Sequence, residues 1–371
     1  MAINRTAAET YVVDWRDQAG RRFRKTFSTH REAIDYEKDM VAQVSRGDFI
    51  PPSKETVGER AEKWHNRKAD AGSYRFATLQ NWRTHIEKYI VPLLGELRIQ
   101  EVSVEDVETA AAQWARMTSA HTANKVLTTL TAIFKLAQRT GPLQQKANVA
   151  QLAERIKISN EEDKDEEVTP EEVYCQEELN TLILATAPGS LERVLIMVAA
   201  LCGLRIGEVL GLAWPAIDLK ANKLHVRQGL IDTGKANGGR GFGKPKSKKG
   251  RRTLNLPQEL AHELKVWKLK CPPSEHDLVF ATVEGKPLHR KGAAHILDQA
   301  IAAAEIKRLT LHKLRHTFAS LLLARGVPIP KVSKLLGHRD SIITMKTYAH
   351  FVEDKRNDEQ ELATSILGGK L

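Results

Sequence analysis

Three short stretches carry side chains of the kinds that handle a phosphodiester. In GLRIGEVLGL, residues 203–212, Arg205 and Glu208 stand three apart after an apolar run, so a helix there presents guanidinium and carboxylate on one face. In LHKLRHTFA, residues 311–319, His312 and Arg315 repeat that spacing with an imidazole and a guanidinium. In GHRDSIITMKTYAH, residues 337–350, His338 precedes Tyr348. A guanidinium fork matches two phosphate oxygens, so two such arginines can hold a phosphodiester from both sides. A tyrosine, with a pKa near ~10, attacks poorly at neutral pH until something removes its proton and neutralises the phosphate. Singly, each has a plainer explanation: Arg205 as a salt bridge to Glu208, and Tyr348 as one packed ring among six tyrosines.

Two other chemistries need weighing. His312 and His316 lie four apart, as two helical zinc ligands would, but the place of the usual catalytic Glu is taken by Lys313, and Lys313 with Arg315 makes that turn repel a metal. GGRGFGK, residues 238–244, has the glycine and lysine spacing of a phosphate loop, yet Pro245 stands where Ser or Thr is required. No buried strand precedes it and no helix follows, so a flexible hairpin tip is expected.

The elements that must position these residues read as follows. Tyr11 to Trp15 and Arg22 to Phe27 are short β-like runs joined by DQAG, which predicts a hairpin. Thr29 and Glu32 have capping-box spacing, and Ala33, Ile34, Met40, Val41 and Val44 supply the apolar stripe of a helix after them. Gly47 and the Pro51 Pro52 pair mark a linker. Residues 57–143 are helical in pattern, with helices expected near 57–70, 75–90, 103–116 and 120–139. NEEDKDEEVTPEE, around 160–172, is a solvated charge run at a domain boundary. From 173 the chain begins helical, turns to short strands between Ile217 and Leu256, and returns to helices. The fold class is therefore mainly α with small β elements: an N-terminal hairpin or sheet plus helix, a helical domain, and a mixed α/β domain from 173 on.

Bulk numbers limit the function classes. A length of 371 residues suits two or three domains. With 57 Lys plus Arg against 46 Asp plus Glu, the formal charge of +11 suits a polyanionic partner. Cys175, Cys202 and Cys271 are few, odd in number and far apart, which suggests neither a disulfide framework nor a zinc cluster. The longest apolar run, Val194 to Leu204, is too short to span a bilayer, and a soluble, intracellular protein of the cytoplasm is expected.

Arg205 in GLRIGE, the His312 and Arg315 pair in LHKLRHTFAS, LLGHRD and the TYAH tail occur in the order and separation of the tyrosine recombinase family. The chain resembles a phage integrase over nearly its whole length. The resemblance implies an enzyme that cuts and rejoins DNA through a covalent link to Tyr348, with Arg205 and Arg315 on the phosphate, His312 assisting the tyrosine proton and His338 adding a hydrogen bond. Glu208 would orient Arg205 or its neighbours. The family's lysine on a β-hairpin falls in KPKSKKGRRTLNLP, residues 244–257, where Lys246 is the first choice and Lys244 and Lys248 are rivals. Lys249 and Arg251 in the same basic tract would meet DNA, although such residues also simply screen phosphates.

By the same resemblance, residues 1–50 form an arm-site DNA reader using Arg21, Arg22, Arg24 and Lys25, residues 57–143 a core-DNA clamp, 144–172 a linker and 173–371 the catalytic domain with its tail. A solvated hairpin is the plainer account of those four cations. The partners implied are double-stranded attachment sites and three further copies of the chain, with a DNA-bending protein and an excision factor as accessories. No cofactor or metal is implied. The tail, including Ala363 to Leu367, would pack on a neighbouring subunit. A chromosome-dimer resolvase of the same chemistry and a catalytically decayed DNA-binding protein are the alternatives.

Overall fold

Helix starts are written locally in this chain. Thr56 with Glu59 and Ser103 with Asp106 form reciprocal capping boxes, and Ser119 accepts from Thr122 N, so three helices begin where a side-chain oxygen satisfies an otherwise orphan N–H. Thr29 and Glu32 exchange the same pair of bonds ahead of the N-terminal helix. The computed structural model describes residues 2–6, 9–16, 20–46, 49, 51–143, 146–157, 167–234, 239–243 and 250–353. The chain divides into two compact units, Met1–Ile158 and Ser159–Leu371.

In the first unit the strands are β1 (Ala2–Arg5), β2 (Tyr11–Arg16) and β3 (Arg22–Phe27), an antiparallel sheet in that order. The pattern of β1, AINR, is too short to read as a strand, and pairing with β2 from Ala2↔Asp14 to Arg5↔Tyr11 creates it. Helix α1 (His30–Arg46) covers one face, where Val13, Trp15, Ala33 and Met40 are buried with Tyr36, Val44 and Phe49 against them. Val41, expected in the apolar stripe, is 48% exposed, because the face of the helix packed on the sheet runs through positions 33, 36, 40 and 44 instead.

The rest of this unit is α2 (Val57–Asp70), α3 (Phe76–His85), a π-helical turn (Ile86–Ile90), α4 (Val91–Leu94), α5 (Val104–Met117), α6 (Ala120–Thr140) and α7 (Val149–Leu152). The helix expected near 75–90 thus runs on past Pro92, with the π turn just before it. Proline lacks an N–H and crowds the carbonyl four residues back, and the wider turn relieves both. Trp114, Phe134, Ile86, Ile90 and Leu130 fill the core. Ala150 and Ala153 join it, so part of the 144–172 segment is packed structure.

The second unit centres on α9 (Leu191–Cys202), buried almost all round, with α8 (Gln176–Leu184) before it and α10 (Ile206–Leu210) after it. A sheet of β4 (Ile217–Asp218), β5 (Lys223–Val226) and β8 (Arg252–Asn255) and a hairpin of β6 (Gly229–Gly234) with β7 (Gly239–Gly243) follow. Gly239 to Gly243, expected within a hairpin tip, is the returning strand, paired from Gly229↔Gly243 onward. Helices α11 (Gln258–Lys270), α12 (Arg290–Ala304), α13 (Leu311–Ala324), α14 (Ile329–Leu336), α15 (Ser341–Tyr348) and α16 (His350–Glu353) complete it. Among the described residues no helix is long and apolar enough to cross a membrane.

Candidate active site

The site is built around the C-terminal end of α14, where the last carbonyls of a helix lack intrahelical partners and carry partial negative charge. Three arginines from separate parts of the chain take those oxygens. Arg252 Nε donates to Leu335 O at 2.5 Å, Arg315 Nη2 to Leu336 O at 2.8 Å and Arg205 Nη2 to Gly337 O at 3.2 Å. Gly337 closes the helix with φ of 67°, and the N–H groups of Gly337 and His338 turn back to Lys334 O and Ser333 O. That turn delivers His338 to the site.

Arg205 arrives by a similar device. Gly203 ends α9 at φ of 58°, and a Cβ there would meet Phe318 Cδ1 at 2.4 Å, so only glycine suits this corner. The chain then re-enters a helix with Arg205 as its N-cap, and the Gly203 carbonyl accepts from Arg315 Nη1 at 2.6 Å. Glu208, buried, ties the cluster together: Oε1 accepts from Arg205 Nη1 at 3.0 Å and Oε2 from Arg252 Nη2 at 3.0 Å. Burial works to raise the Glu208 carboxyl, but Arg252 and then Arg205 outweigh it and hold it below the usual carboxylate range. Arg252, counted from sequence only within a basic tract, is therefore an integral part of the cluster.

Arg315 is 3% exposed, whereas the Arg205 side chain is 42% exposed and faces outward. Burial, with Arg205 and Arg252 alongside, lowers Arg315 to about 9, which leaves it a cation at neutral pH. Burial and the cations Arg315, Arg205 and Arg252 pull His338 down to about 4, and its Nδ1 lies 2.8 Å from Thr344 Oγ1.

Tyr348 ends α15 and is 1% exposed, packed among Val168, Val173, Ala319, Leu323, Val332 and Leu336. Burial pushes its hydroxyl above the ordinary tyrosine value, with Arg315 acting in the opposite sense. The ring that meets this hydroxyl is His316, whose Nδ1 is 2.8 Å away. His312, the exposed histidine expected to assist it, packs edge-on against His316 with centroids 4.7 Å apart. Burial, followed by His312, Lys313 and Arg315, takes His316 down to about 3. Among the described residues no group of three His, Cys, Asp or Glu side chains is arranged to hold a metal.

Lys244, Lys246, Lys248 and Lys249 lie outside the described residues, as do Ala363 to Leu367. Arg251 is exposed just before β8. In the N-terminal sheet the four expected DNA contacts do not share a face. Arg22 and Arg24 stand on the face away from α1, both bonded to Asp14, while Lys25 lies on the helix side over the Tyr36 ring at 4.4 Å. Arg21 is exposed ahead of β3.

Comparison with known proteins agrees with this architecture. The phage integrase family profile matches residues 173–355 and the phage integrase central domain profile matches residues 57–154. An integrase of Streptomyces ambofaciens is 28% identical over 346 residues, covering 90% of this chain and 86% of its own. An integrase of Staphylococcus phage L54a is 26% identical over 321 residues, covering 81% of this chain and 90% of its own. The Tn1549 transposon integrase, solved in complex with transposon right end DNA, shares the fold with a TM-score of 0.66 at 17% identity, over 84% of this chain and 99% of that one. With both profiles in register with the helical bundle and the arginine-rich unit, this chain belongs to the phage integrase family, the tyrosine site-specific recombinases that cut and rejoin DNA strands.

Proposed function

We propose that this recombinase integrates and excises a mobile element, with Tyr348 as its nucleophile. The observation that carries the assignment is the hydrogen bond of the Tyr348 hydroxyl to α13, the helix that also bears His312 and Arg315. Tyr348 attacks the scissile phosphorus to form a 3′-phosphotyrosyl bond as the bond to the 5′ oxygen breaks. His312 takes the phenol proton and Lys246 supplies one to the departing oxygen.

Arg205 and Arg315 neutralise the non-bridging oxygens as charge builds in the transition state. A guanidinium has five N–H groups, and the contacts described above engage two on each, which leaves donors for a phosphate. His338, held through Nδ1, offers its other nitrogen, and Glu208 fixes Arg205 and Arg252. One phosphodiester replaces another, so the same groups run the reverse step on a partner strand without nucleotide or metal.

In this reading residues 57–143 clamp core DNA and residues 1–50 read separate arm sites. Arg21, Arg22, Arg24, Lys25, Lys244, Lys248, Lys249 and Arg251 contact phosphate or base edges. Four protomers assemble on paired sites in a bacterial cytosol, with a bending protein and an excision factor as partners. A nicked suicide substrate tests the core of the proposal. The intact chain is expected to form a covalent DNA adduct and Tyr348→Phe to form none while still binding duplex. An adduct surviving in Tyr348→Phe overturns the assignment.

A further inference from the structure

Resting on Tyr348 as the nucleophile, we propose that His316 is its positioning residue, holding the phenolic hydroxyl in one orientation before the phosphate is engaged. A phenol surrounded by aliphatic side chains needs a polar partner, and among the described residues the bond to His316 Nδ1 at 2.8 Å is the one that the Tyr348 hydroxyl makes. The ring centroids are 5.6 Å apart and inclined by 50°, so the rings are not stacked and the contact is made through Nδ1. In the proposed arrangement Tyr348 donates to Nδ1 and the His316 proton sits on Nε2, the tautomer that leaves Nδ1 as an acceptor.

His312 and His316 are one helical turn apart and share a face of α13, with His312 outermost. The charged and titratable groups around His316 are His312, Lys313 and Arg315 on its own helix, His338 after α14, and Tyr348 on α15. Burial, and then those cations, disfavour an imidazolium, so His316 stays neutral and is a poor final home for the phenol proton. Its contribution is orientation, which matters because a nucleophile displaced by about an ångström loses on the order of 10²-fold in rate.

The test is single-turnover cleavage of a nicked suicide duplex at saturating DNA, alongside duplex affinity and the thermal midpoint of the full chain. His316→Asn keeps an acceptor near the Nδ1 position, His316→Gln carries its acceptor further out, and His316→Leu has none. Adduct formation is expected close to the parent rate in His316→Asn and roughly 10- to 100-fold slower in the other two, with DNA affinity unchanged. Three equal rates, or a faster His316→Leu, overturn the proposal. If His316→Leu loses its fold, the contrast between His316→Asn and His316→Gln still decides. An adduct in Tyr348→Phe would instead defeat the nucleophile assignment on which the proposal stands.

Discussion

Removing the Glu208 carboxylate should destabilise the C-terminal unit through one partner far more than the other. The Arg252 side chain is 5% exposed and Glu208 7%, so Glu208→Ala strands a buried guanidinium, a loss of about 3–5 kcal/mol. Arg205, at 42% exposed, is well solvated, and its half of the bridge adds little. For a unit of this size each kcal/mol moves the melting midpoint by roughly 2–4 °C, so Glu208→Ala is expected to lower it by about 6–20 °C. Calorimetry of the full chain, following the transition of the second unit, measures this. A double-mutant cycle with Arg252→Ala isolates the pair, and a coupling above about 1.5 kcal/mol is expected, in the range for hydrogen bonds to charged groups.

The pH dependence of that coupling follows from the depressed Glu208 carboxyl. An acid whose folded pKa lies below its unfolded value near ~4.3 adds stability that is complete above that value and disappears as pH falls through the folded one. The coupling should therefore be constant from neutral pH down to about 5 and shrink only below ~4. A coupling under about 0.5 kcal/mol, the scatter for independent sites, refutes the claim that Glu208 and Arg252 hold the cluster together.

Gly203→Ala forces a left-handed residue and a clash with Phe318, and costs at least about 1–2 kcal/mol from the backbone alone. Because the Gly203 carbonyl anchors Arg315, the same change should slow suicide cleavage; parent-like melting and cleavage would show that the corner tolerates a Cβ. His316 and His338 have folded values of about 3 and about 4, beneath the ordinary histidine value. The unfolded chain thus binds protons first, and stability is full above ~6.5 and declines as pH drops toward those folded values. Urea titrations at pH 7 and 5.5 should give a lower unfolding free energy at 5.5, with a smaller difference in His316→Asn; equal values at the two pH settings would sink this account.

Much of the fold was legible because its signals are local. The capping box of Thr29 with Glu32 and the 3.6-residue apolar pattern located the N-terminal helices. What escaped were elements made by pairing or by a long-range constraint. Strand β1 exists because β2 offers an edge, the return strand Gly239–Gly243 because β6 does, and the π turn because Pro92 follows it.

For the site the division is sharper. The sequence by itself determined which residue types are present and in what order, Arg205 with Glu208, His312 with Arg315, then His338 and Tyr348, because helical spacing puts such pairs on shared faces. Tertiary structure decided which of them meet. Arg252 joins Glu208 across 44 residues, Arg205 reaches the Gly337 carbonyl across 132, and His316 rather than His312 lies against the tyrosine hydroxyl. The physical reason is that periodicity specifies a face but not what packs on it; burial among the α13–α15 helices left the α14 carbonyls and the Tyr348 hydroxyl needing partners, and those needs selected the side chains that now surround them.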